Sequence, residues 1–418
     1  MYRIESTFSR EVRKSWRTLA SAFVCLLFAF SGPAFSLPFL YGPILAEFGW
    51  SREEVTLLAS AKYAAGAVAA VVIGRIIDVV GVRNGLVLLS ILGAAAMLGF
   101  RWVTDLTSYY ATGVVLGISG SGIIVASKVL VSRHFHAFQG TAMSLTMLGT
   151  ALGATLTPLV IMPLIAAHGW RDAAAYLSLG TWCVALPALL LLLRDGPLSS
   201  EAERRTPSAS LAAFAKLAAR RDFWLIALAV FCAAVVDQAF IQHQVLYLEI
   251  DLGMTPAHVA AGISAMGLIG IGARVGVGFT FDKFSARGVS MMYLTLAAAA
   301  ACALAAVNPV VFAMFVVLRA TGHAAVLLDS VVLSKHVFGL ENLGLVLGIY
   351  TAFVAIGFAV GPWIVGRLYG ITGSYVVPFV VCASLAVFAA LVLLPVKPAQ
   401  WLAARERGAA GAPDSGNR

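Results

Sequence analysis

Six charged side chains lie within long apolar stretches of this sequence, four of them basic and two acidic: Lys62, Lys128, Arg274, Arg319, Asp237 and Asp329. A charge inside a bilayer costs about 2.5–3.5 kcal/mol or more, so such residues usually face an aqueous cavity. A base in a cavity of this kind can hold an anion, and an acid can take up and release a proton. The charged residues therefore predict a site that binds an anion and in which an acidic side chain takes up and releases a proton.

Arg274 is the strongest candidate for the anion contact. It precedes Asp282, near the predicted end of its helix, by eight residues, which at about 1.5 Å per residue corresponds to roughly 12 Å and places it close to the midplane. A guanidinium at that depth can hold a carboxylate through two parallel hydrogen bonds. The alternative is an internal salt bridge, for example with Asp237.

Two lysines occupy different depths. Lys62 follows Ser51, the first residue of its predicted helix, by eleven residues and so also lies near mid-depth. It either completes an anion site or pairs with Asp237, and the sequence favours neither alternative. Lys128 lies close to a helix end, so we expect its side chain to extend to the interface or to act in gating.

Asp237, within Val235-Val236-Asp237-Gln238, is the candidate for proton coupling. Desolvation favours the neutral form of a buried carboxyl group, whereas a nearby arginine or lysine favours the charged form. Its protonation would therefore respond to an anion bound beside it. The alternative is a permanent ion pair. Asp329 lies nearer a helix end and is predicted to belong to a gate.

Further polar residues could support an anion site. Arg319 and His323 are four residues apart and hence lie on one helical face. Arg319 is either a member of the site or a structural arginine. His323, His243 and Tyr41 can each donate a hydrogen bond to a carboxylate, although a single residue of this kind is more often a packing residue with internal partners.

The composition determines the surroundings of these residues. Of 418 residues, 60% are hydrophobic and 12% are charged, against about 25% charged in a typical soluble protein. These values exclude a soluble globular, a disordered and a disulfide-rich secreted protein. The five cysteines all fall in apolar runs without the spacing of metal ligands or of a disulfide framework. We therefore predict an all-α integral membrane protein that needs no metal or cofactor and is not an enzyme.

Twelve apolar runs are long enough to cross about 30 Å of hydrocarbon as helices. An even number of spans leaves both termini on one side, and 21 of the 29 Lys and Arg residues fall there, with four on the other side and four within spans. Because basic residues concentrate in cytoplasmic loops, both termini are predicted to be cytoplasmic, in the cell (inner) membrane. The net charge of +9 then reflects topology, and no nucleic-acid partner is predicted. The predicted spans are 16–46, 51–78, 85–103, 108–133, 139–167, 172–193, 222–250, 255–281, 288–307, 309–336, 342–368 and 374–395.

The longest connection divides the chain into two halves. It predicts an N-terminal six-helix bundle (1–193), a cytoplasmic linker (194–221), a C-terminal six-helix bundle (222–395) and a disordered cytoplasmic tail (396–418). The halves match at a constant shift of 204 residues, which predicts parallel repeats related by an axis along the membrane normal. The shift pairs Gly74, Asp78 and Arg83 with Gly278, Asp282 and Arg287.

Two helix starts are paired by the same shift. Ser51-Arg52-Glu53-Glu54 has the pattern of a capping box, in which the serine caps the helix and the glutamate three residues later bonds back. Its counterpart is Thr255-Pro256, an N-cap followed by proline at the first helical position. Both pairs predict where the second and eighth spans begin.

The paired Gly-x3-Asp-x4-Arg turns resemble the loop motif of the major facilitator superfamily. Within that superfamily, several short motifs are similar to the monocarboxylate-transporter-like branch, which includes the oxalate/formate antiporter: Phe48-Gly49-Trp50-Ser51, Phe338-Gly339, Gly361-Pro362-x3-Gly366 and Thr372-Gly373-Ser374-Tyr375. The resemblance covers essentially the whole chain. It implies twelve transmembrane helices in two six-helix bundles, Asp and Arg side chains that latch the halves together on the cytoplasmic face, and an arginine in span 8, here Arg274, that binds the substrate anion.

Three positions depart from the branch pattern. Animal monocarboxylate transporters usually have a lysine in span 1 and an aspartate four residues before the span-8 arginine, whereas here span 1 has no lysine and residue 270 is glycine. The antiporter type has a lysine in span 11, which this chain lacks. The resemblance therefore leaves both the substrate and the coupling mode open.

The sequence as a whole predicts a secondary active transporter of a small organic anion, a monocarboxylate, by proton symport with alternating access. We expect it to act as a monomer whose partners are a small carboxylate, protons and the lipid bilayer. The alternatives are an anion exchanger without proton coupling, a drug/proton antiporter and a transport-like sensor. The basic residues near mid-depth argue against the drug/proton antiporter. The sequence also shows no added domain of the kind that a transport-like sensor carries.

Overall fold

The computed structural model describes residues 13, 15–135, 139–193, 214–339 and 343–397, and in these residues it is helical without a β-strand. The first half begins with a helix that contains a π-helical stretch, Cys25–Phe30. A long helical segment, Gln139–Gly180, bends at Gly169, whose φ is 78°. The part before the bend (139–168) is named α5 and the part after it (170–192) is named α6. The second part continues through another π-helical stretch, Thr181–Ala185, to Leu192. The helices of this half are α1 (Ser15–Phe48), α2 (Arg52–Val80), α3 (Val82–Gly99), α4 (Leu106–His134), α5 (139–168) and α6 (170–192).

The second half follows the same plan. Its first helix ends in a third π-helical stretch, Tyr247–Asp251, before the chain turns. The helices of this half are α7 (Arg221–Leu246), α8 (Pro256–Phe284), α9 (Ala286–Ala303), α10 (Pro309–Phe338), α11 (Leu343–Thr372) and α12 (Val376–Leu393).

Both predicted helix starts are confirmed. The Ser51 side chain accepts a hydrogen bond from the Glu54 backbone N–H, while the Glu54 carboxylate accepts one from the Ser51 backbone, so two of the free donors at the start of α2 are satisfied. The Thr255 side chain caps α8 by accepting a hydrogen bond from the His258 backbone N–H, with Pro256 at the first helical position. These caps fix the register of the helices that carry Lys62 and Arg274.

Ten helices of the described residues are long and apolar enough to cross a membrane. One of them, Gln139–Leu192, includes the bend at Gly169 and covers two of the predicted spans. Arg52–Val80, predicted as the second span, is a 29-residue helix that is not among the ten. A multi-pass helical protein is thus confirmed, while the count of twelve spans stays a prediction.

Equivalent helices pair in the two halves, as the repeat predicts. In the first half α2 packs against α4, α1 against α5 and α3 against α4; in the second, α8 packs against α10, α7 against α11 and α9 against α10. Glycines allow the closest of these contacts, because a Cβ at Gly149 would lie 2.5 Å from the Phe23 carbonyl oxygen and one at Gly361 would lie 2.3 Å from that of Val235.

The halves meet through α2 with α11, α5 with α8 and α1 with α7. We name the two ends of the bundle after residues at helix ends. The Ser51 end holds the turns around residues 49–51, 169, 252–255 and 373–375, and the Arg83 end holds those around 81–83, 285 and 339. In the predicted topology the Ser51 end is external and the Arg83 end is cytoplasmic.

Candidate functional site

A cavity of about 90 Å³ lies between the two halves, enclosed by α1, α5, α7, α8 and α10. Such a volume has room for several water molecules or for a small organic molecule, since one water needs about 10–15 Å³ on this measure. Most of the wall is apolar, for example Phe35, Phe39, Ile241 and Met266. Its polar members are Thr150, Gln244, Arg274, Arg319 and His323.

Arg274 enters the cavity wall from α8 and is partly exposed. Within the described residues its guanidinium makes no hydrogen bond or ion pair, so the predicted alternative of a salt bridge with Asp237 is not found. Gly270, one turn earlier on the same helix, also lines the cavity, and a Cβ placed there would meet nothing within 4 Å. The guanidinium therefore has its hydrogen-bond donors free beside open space.

Asp237 is fully buried and contacts two residues of α10, through an ion pair with Arg319 and a hydrogen bond with His323. Arg319 donates to its carboxylate at 2.8 Å and to its backbone oxygen, also at 2.8 Å. The Nδ1 of His323 lies 3.0 Å from both carboxylate oxygens. Of the two alternatives for Asp237, the structure contains the ion pair, and the partner is Arg319. Since the His323 side chain is 29% exposed and lines the cavity, it connects this pair to the open space.

Arg319 combines both of its predicted roles. Its side chain is 3% exposed and engaged with Asp237, as a structural arginine would be, yet it also contributes to the cavity wall. Its Nε is buried without a hydrogen-bond partner. Breaking a buried pair leaves an uncompensated charge, so Arg319 and Asp237 depend on each other for their place in the core.

Three predicted site residues lie outside the cavity wall. The Lys62 side chain is buried, and its Nζ makes no hydrogen bond, so it does not pair with Asp237. Tyr41 donates to the Gln242 side chain at 2.6 Å and thereby links α1 to α7. The ring nitrogens of His243 lie 3.0 Å from the Tyr375 hydroxyl and 2.9 Å from the Pro362 carbonyl oxygen. The packing interpretation therefore describes Tyr41 and His243.

Two cavity residues were not predicted. Thr150 and Gln244 are neutral, and apolar helices contain many such residues, so their type alone does not indicate a site. Gln244 follows Asp237 by seven residues, or two helical turns, which is a weak signal that both lie on one face. Its Oε1 is buried without a partner, so it remains available to accept a hydrogen bond from a ligand.

The predicted latch residues lie at the Arg83 end. Arg83 donates to the Leu190 carbonyl oxygen at 2.8 Å, a contact within the first half. Asp282 and Arg287 are exposed. Gly74 and Gly278 have open space where a Cβ would stand, and the side chain of Asp78 lies outside what the structure describes. None of the hydrogen bonds or ion pairs that Arg83, Asp282 and Arg287 form among the described residues joins the two halves, so the latch stays a prediction.

The Ser51 end is closed by contacts between the halves. Arg52 of α2 forms an ion pair with Asp251, and its guanidinium lies 4.1 Å from the centre of the Tyr369 ring. Arg367 of α11 pairs with Glu53 at 3.4 Å. These ion pairs join the two halves at the Ser51 end, on one side of the cavity.

Comparison with known proteins agrees with this architecture. Monocarboxylate transporter 14 of Mus musculus is 26% identical over 156 residues, which are 37% of this chain and 30% of that protein, so the match spans less than a third of the relative's length. A bacterial homolog of the human lysosomal transporter Spinster, solved inward-facing and unoccupied, is 16% identical with a TM-score of 0.70, over 91% of this chain and 95% of that one. A variant of the nucleoside transporter NupG is 11% identical with a TM-score of 0.77, over 91% and 99% of the two chains.

The same comparison extends to the family. At these identities the solved structures establish the fold alone. In this chain a cavity lies between the two halves of that fold. The family model described as Major Facilitator Superfamily matches residues 18–328 and 278–415. The chain is thus a multi-pass membrane protein that belongs to the Major Facilitator Superfamily.

Proposed function

We propose that this protein is a secondary active transporter that carries a small organic anion, a monocarboxylate, together with a proton by alternating access. The observation that carries the proposal is the free guanidinium of Arg274 in the wall of a cavity between the two halves. Unpaired charges are costly within a membrane, so a cation without a partner in such a place is expected to serve a ligand.

The chemistry of the cavity suits a short carboxylate. The Arg274 guanidinium can hold both oxygens of a carboxylate, and Gln244 and His323 can add hydrogen bonds. The apolar wall formed by residues such as Phe35 and Met266 matches a short carbon chain. The resemblance to monocarboxylate transporter 14 points to the same class of substrate for this chain.

The topology proposed from the basic residues places both termini in the cytoplasm, in the inner membrane of a cell. The structure would then be the inward-facing state, closed outside by the Arg52 and Arg367 pairs. A tag at the C-terminus that antibody reaches only after the membrane is permeabilised supports this orientation. Labelling of the tag on intact cells contradicts it.

Exchange without proton movement is the second candidate. It is favoured by one observation, the neutralisation of Asp237 by Arg319, because an acid held in an ion pair does not readily take up a proton. Uptake of labelled carboxylate into liposomes decides between the two candidates. Symport predicts accumulation driven by an inward proton gradient, and exchange predicts uptake only against a carboxylate loaded inside.

The first experiment tests anion binding. Purified protein is heated with a panel of carboxylates (acetate, lactate, pyruvate and oxalate), since a ligand at 100 times its Kd stabilises the folded state by about 2.7 kcal/mol. We expect at least one monocarboxylate to raise the melting temperature of the wild type and of Arg221→Ala, an exposed arginine control on α7. Arg274→Ala should lose this shift and transport while still reaching the membrane. Undiminished binding and transport by Arg274→Ala would overturn the proposal.

A further inference from the structure

A second acid in the core has surroundings unlike those of Asp237. Asp329 of α10 is 0% exposed. Its Oδ2 accepts a hydrogen bond of 2.6 Å from the Tyr293 hydroxyl of α9, and its Oδ1 accepts one of 2.8 Å from the Ser330 hydroxyl and another from the Ser330 backbone N–H. All of these donors are neutral.

No basic side chain in the described residues neutralises Asp329. From α9 it faces Tyr293, and the titratable groups of α7 that interact electrostatically with this pair are Asp237, with Asp329, and Cys232, with Tyr293. Among the described residues of α8 and α11, the other helices packed on α10, no titratable group interacts with it. Of the four bases of α10 itself, Arg319 and His323 are bound to Asp237, Lys335 is exposed, and the Nδ1 of His336 lies 3.2 Å from the Ser285 hydroxyl.

This difference determines which acid can change its charge. Asp237 has a guanidinium that stabilises the carboxylate, whereas a charged Asp329 would stand in the core without a basic partner among the described residues. An unpaired buried charge is far more costly than a buried neutral group with hydrogen bonds. A proton on Asp329 removes that cost.

The hydrogen bonds at Asp329 are compatible with both protonation states. A hydroxyl group can donate or accept, so a proton on Oδ2 can be donated to the Tyr293 oxygen once the phenol hydrogen turns away. Oδ1 continues to accept from Ser330. In the protonated state Oδ1 keeps both of its donors and the Tyr293 oxygen gains one, so only the Tyr293 hydroxyl hydrogen gives up its acceptor among the described residues.

Ser330 offers a connection from this acid toward water. Its side chain is partly exposed, and it follows His323 of the cavity wall by seven residues, which puts both on one face of α10. Two helical turns span about 11 Å, so Ser330 lies between the cavity and the Arg83 end. The partly exposed Ser330 side chain is therefore the point of this cluster nearest to solvent.

We propose that Asp329, positioned by Tyr293, is the group that carries the coupled proton, and that Asp237 serves as the fixed counter-ion of Arg319. This inference rests on the proposed symport. The proton passes from water to Oδ2 on one side of the membrane and returns to water on the other, and no other bond is made or broken. A monocarboxylate on Arg274 and a proton on Asp329 then cross together.

Infrared spectroscopy tests the proton site without any knowledge of the substrate. Purified protein is titrated, and the carbonyl stretch of protonated carboxylic acids is followed. We expect a band that persists at neutral pH in the wild type and in the matched control Asp222→Asn, a partly exposed carboxylate that pairs with Arg220. The band should be missing in Asp329→Asn, an isosteric variant that keeps the acceptor for Tyr293. Its survival in Asp329→Asn would overturn the proposal.

A second variant leaves the acid in place. Tyr293→Phe removes the 2.6 Å hydrogen bond, so the frequency of the same band should shift. The wild type and Tyr293→Phe suffice if Asp329→Asn does not fold. A wild type with no such band, or a band that Tyr293→Phe leaves unshifted, would equally contradict a proton held on Asp329.

Transport separates failure of this inference from failure of the proposed function. In liposomes Asp329→Asn should lose accumulation driven by a pH gradient but retain exchange of a labelled carboxylate from the panel above. If the wild type shows gradient-driven uptake and Asp329→Asn shows it equally, the proton is carried elsewhere and the symport stands. If the wild type itself shows no gradient-driven uptake of any carboxylate, the symport fails, and with it the role of Asp329 in coupling.

Discussion

The two ends of the molecule are built from similar residues but use them differently. At the Ser51 end, arginines reach across to the other half, as Arg52 does to Asp251 and Arg367 to Glu53. At the Arg83 end, Arg83 instead donates to a backbone oxygen of its own half, and Arg287 is exposed. The same helices, α2 and α8, have their N-termini at the closed end and their C-termini at the open end.

This difference suggests how closure can be reversible. The solvent-exposed Arg367 pair contributes only a few tenths of a kcal/mol, and the Arg52 pair, whose side chains are 11% and 21% exposed, contributes about 1 kcal/mol together with the contact of its guanidinium over an aromatic ring. A closed end held by such contacts can open at low cost and be replaced by a latch at the opposite end. The central ion pair of Asp237 with Arg319 lies within the second half and belongs to neither gate.

The largest effect is expected from that central pair. Arg319→Met leaves Asp237 as an uncompensated buried charge, which should lower the free energy of unfolding by about 3–5 kcal/mol. Thermal unfolding in detergent measures this loss. Removing both charges, as in Arg319→Met with Asp237→Leu, should recover most of it. A double variant as unstable as the single one would show that the two side chains stabilise the fold by more than the mutual neutralisation of their charges.

The next prediction compares two glycines on α11. A Cβ at Gly366 would lie 2.9 Å from the Cα of Glu53, whereas one at Gly348 would meet nothing within 4 Å. Gly366→Leu should therefore force the halves apart at the Ser51 end and destabilise this conformation by about 1–3 kcal/mol. Gly348→Leu is the matched control at the open end and should leave the melting temperature in this state unchanged. Equal effects at both positions would contradict the asymmetry of the ends.

A smaller shift is expected from the ion pair and ring contacts of Arg52. Arg52→Ala removes the pair with Asp251 and the contact with Tyr369, together about 1 kcal/mol, or roughly a fivefold change in the ratio of the two states. The measurement is the labelling rate of a cysteine introduced at the Ser51 end, which should rise. Arg287→Ala, at the other end, should leave that rate unchanged in this conformation.

The smallest effect belongs to Arg367, whose side chain is 59% exposed. Arg367→Gln should raise the same labelling rate only slightly, by a few tenths of a kcal/mol at low salt, because its 3.4 Å pair with Glu53 is open to solvent. At high salt the difference from wild type should vanish. A difference that persists at high salt would mean that packing, and not charge, carries the contact.

Local patterns made the helices and one site residue predictable. Capping at Ser51 and Thr255 depends on residues close in sequence, and the depth of Arg274 follows from counting residues along its helix. The partner of Asp237 could not be obtained in this way, because Arg319 is 82 residues away and several bases were equally suitable by type. Gln244 was missed because a neutral side chain becomes informative only when its neighbours are known.

The π-helical stretch Tyr247–Asp251 has a mechanical consequence. It begins three residues after Gln244 of the cavity wall and ends with Asp251, the partner of Arg52. A π-turn contains one residue more than an α-turn, so its conversion to α-helix would rotate everything beyond it by about 100°. The Asp251 side chain would then rotate away from Arg52 about the helix axis, while the rest of α7 keeps its position. Deleting one residue of this stretch should impose that rotation, and labelling at the Ser51 end would record it.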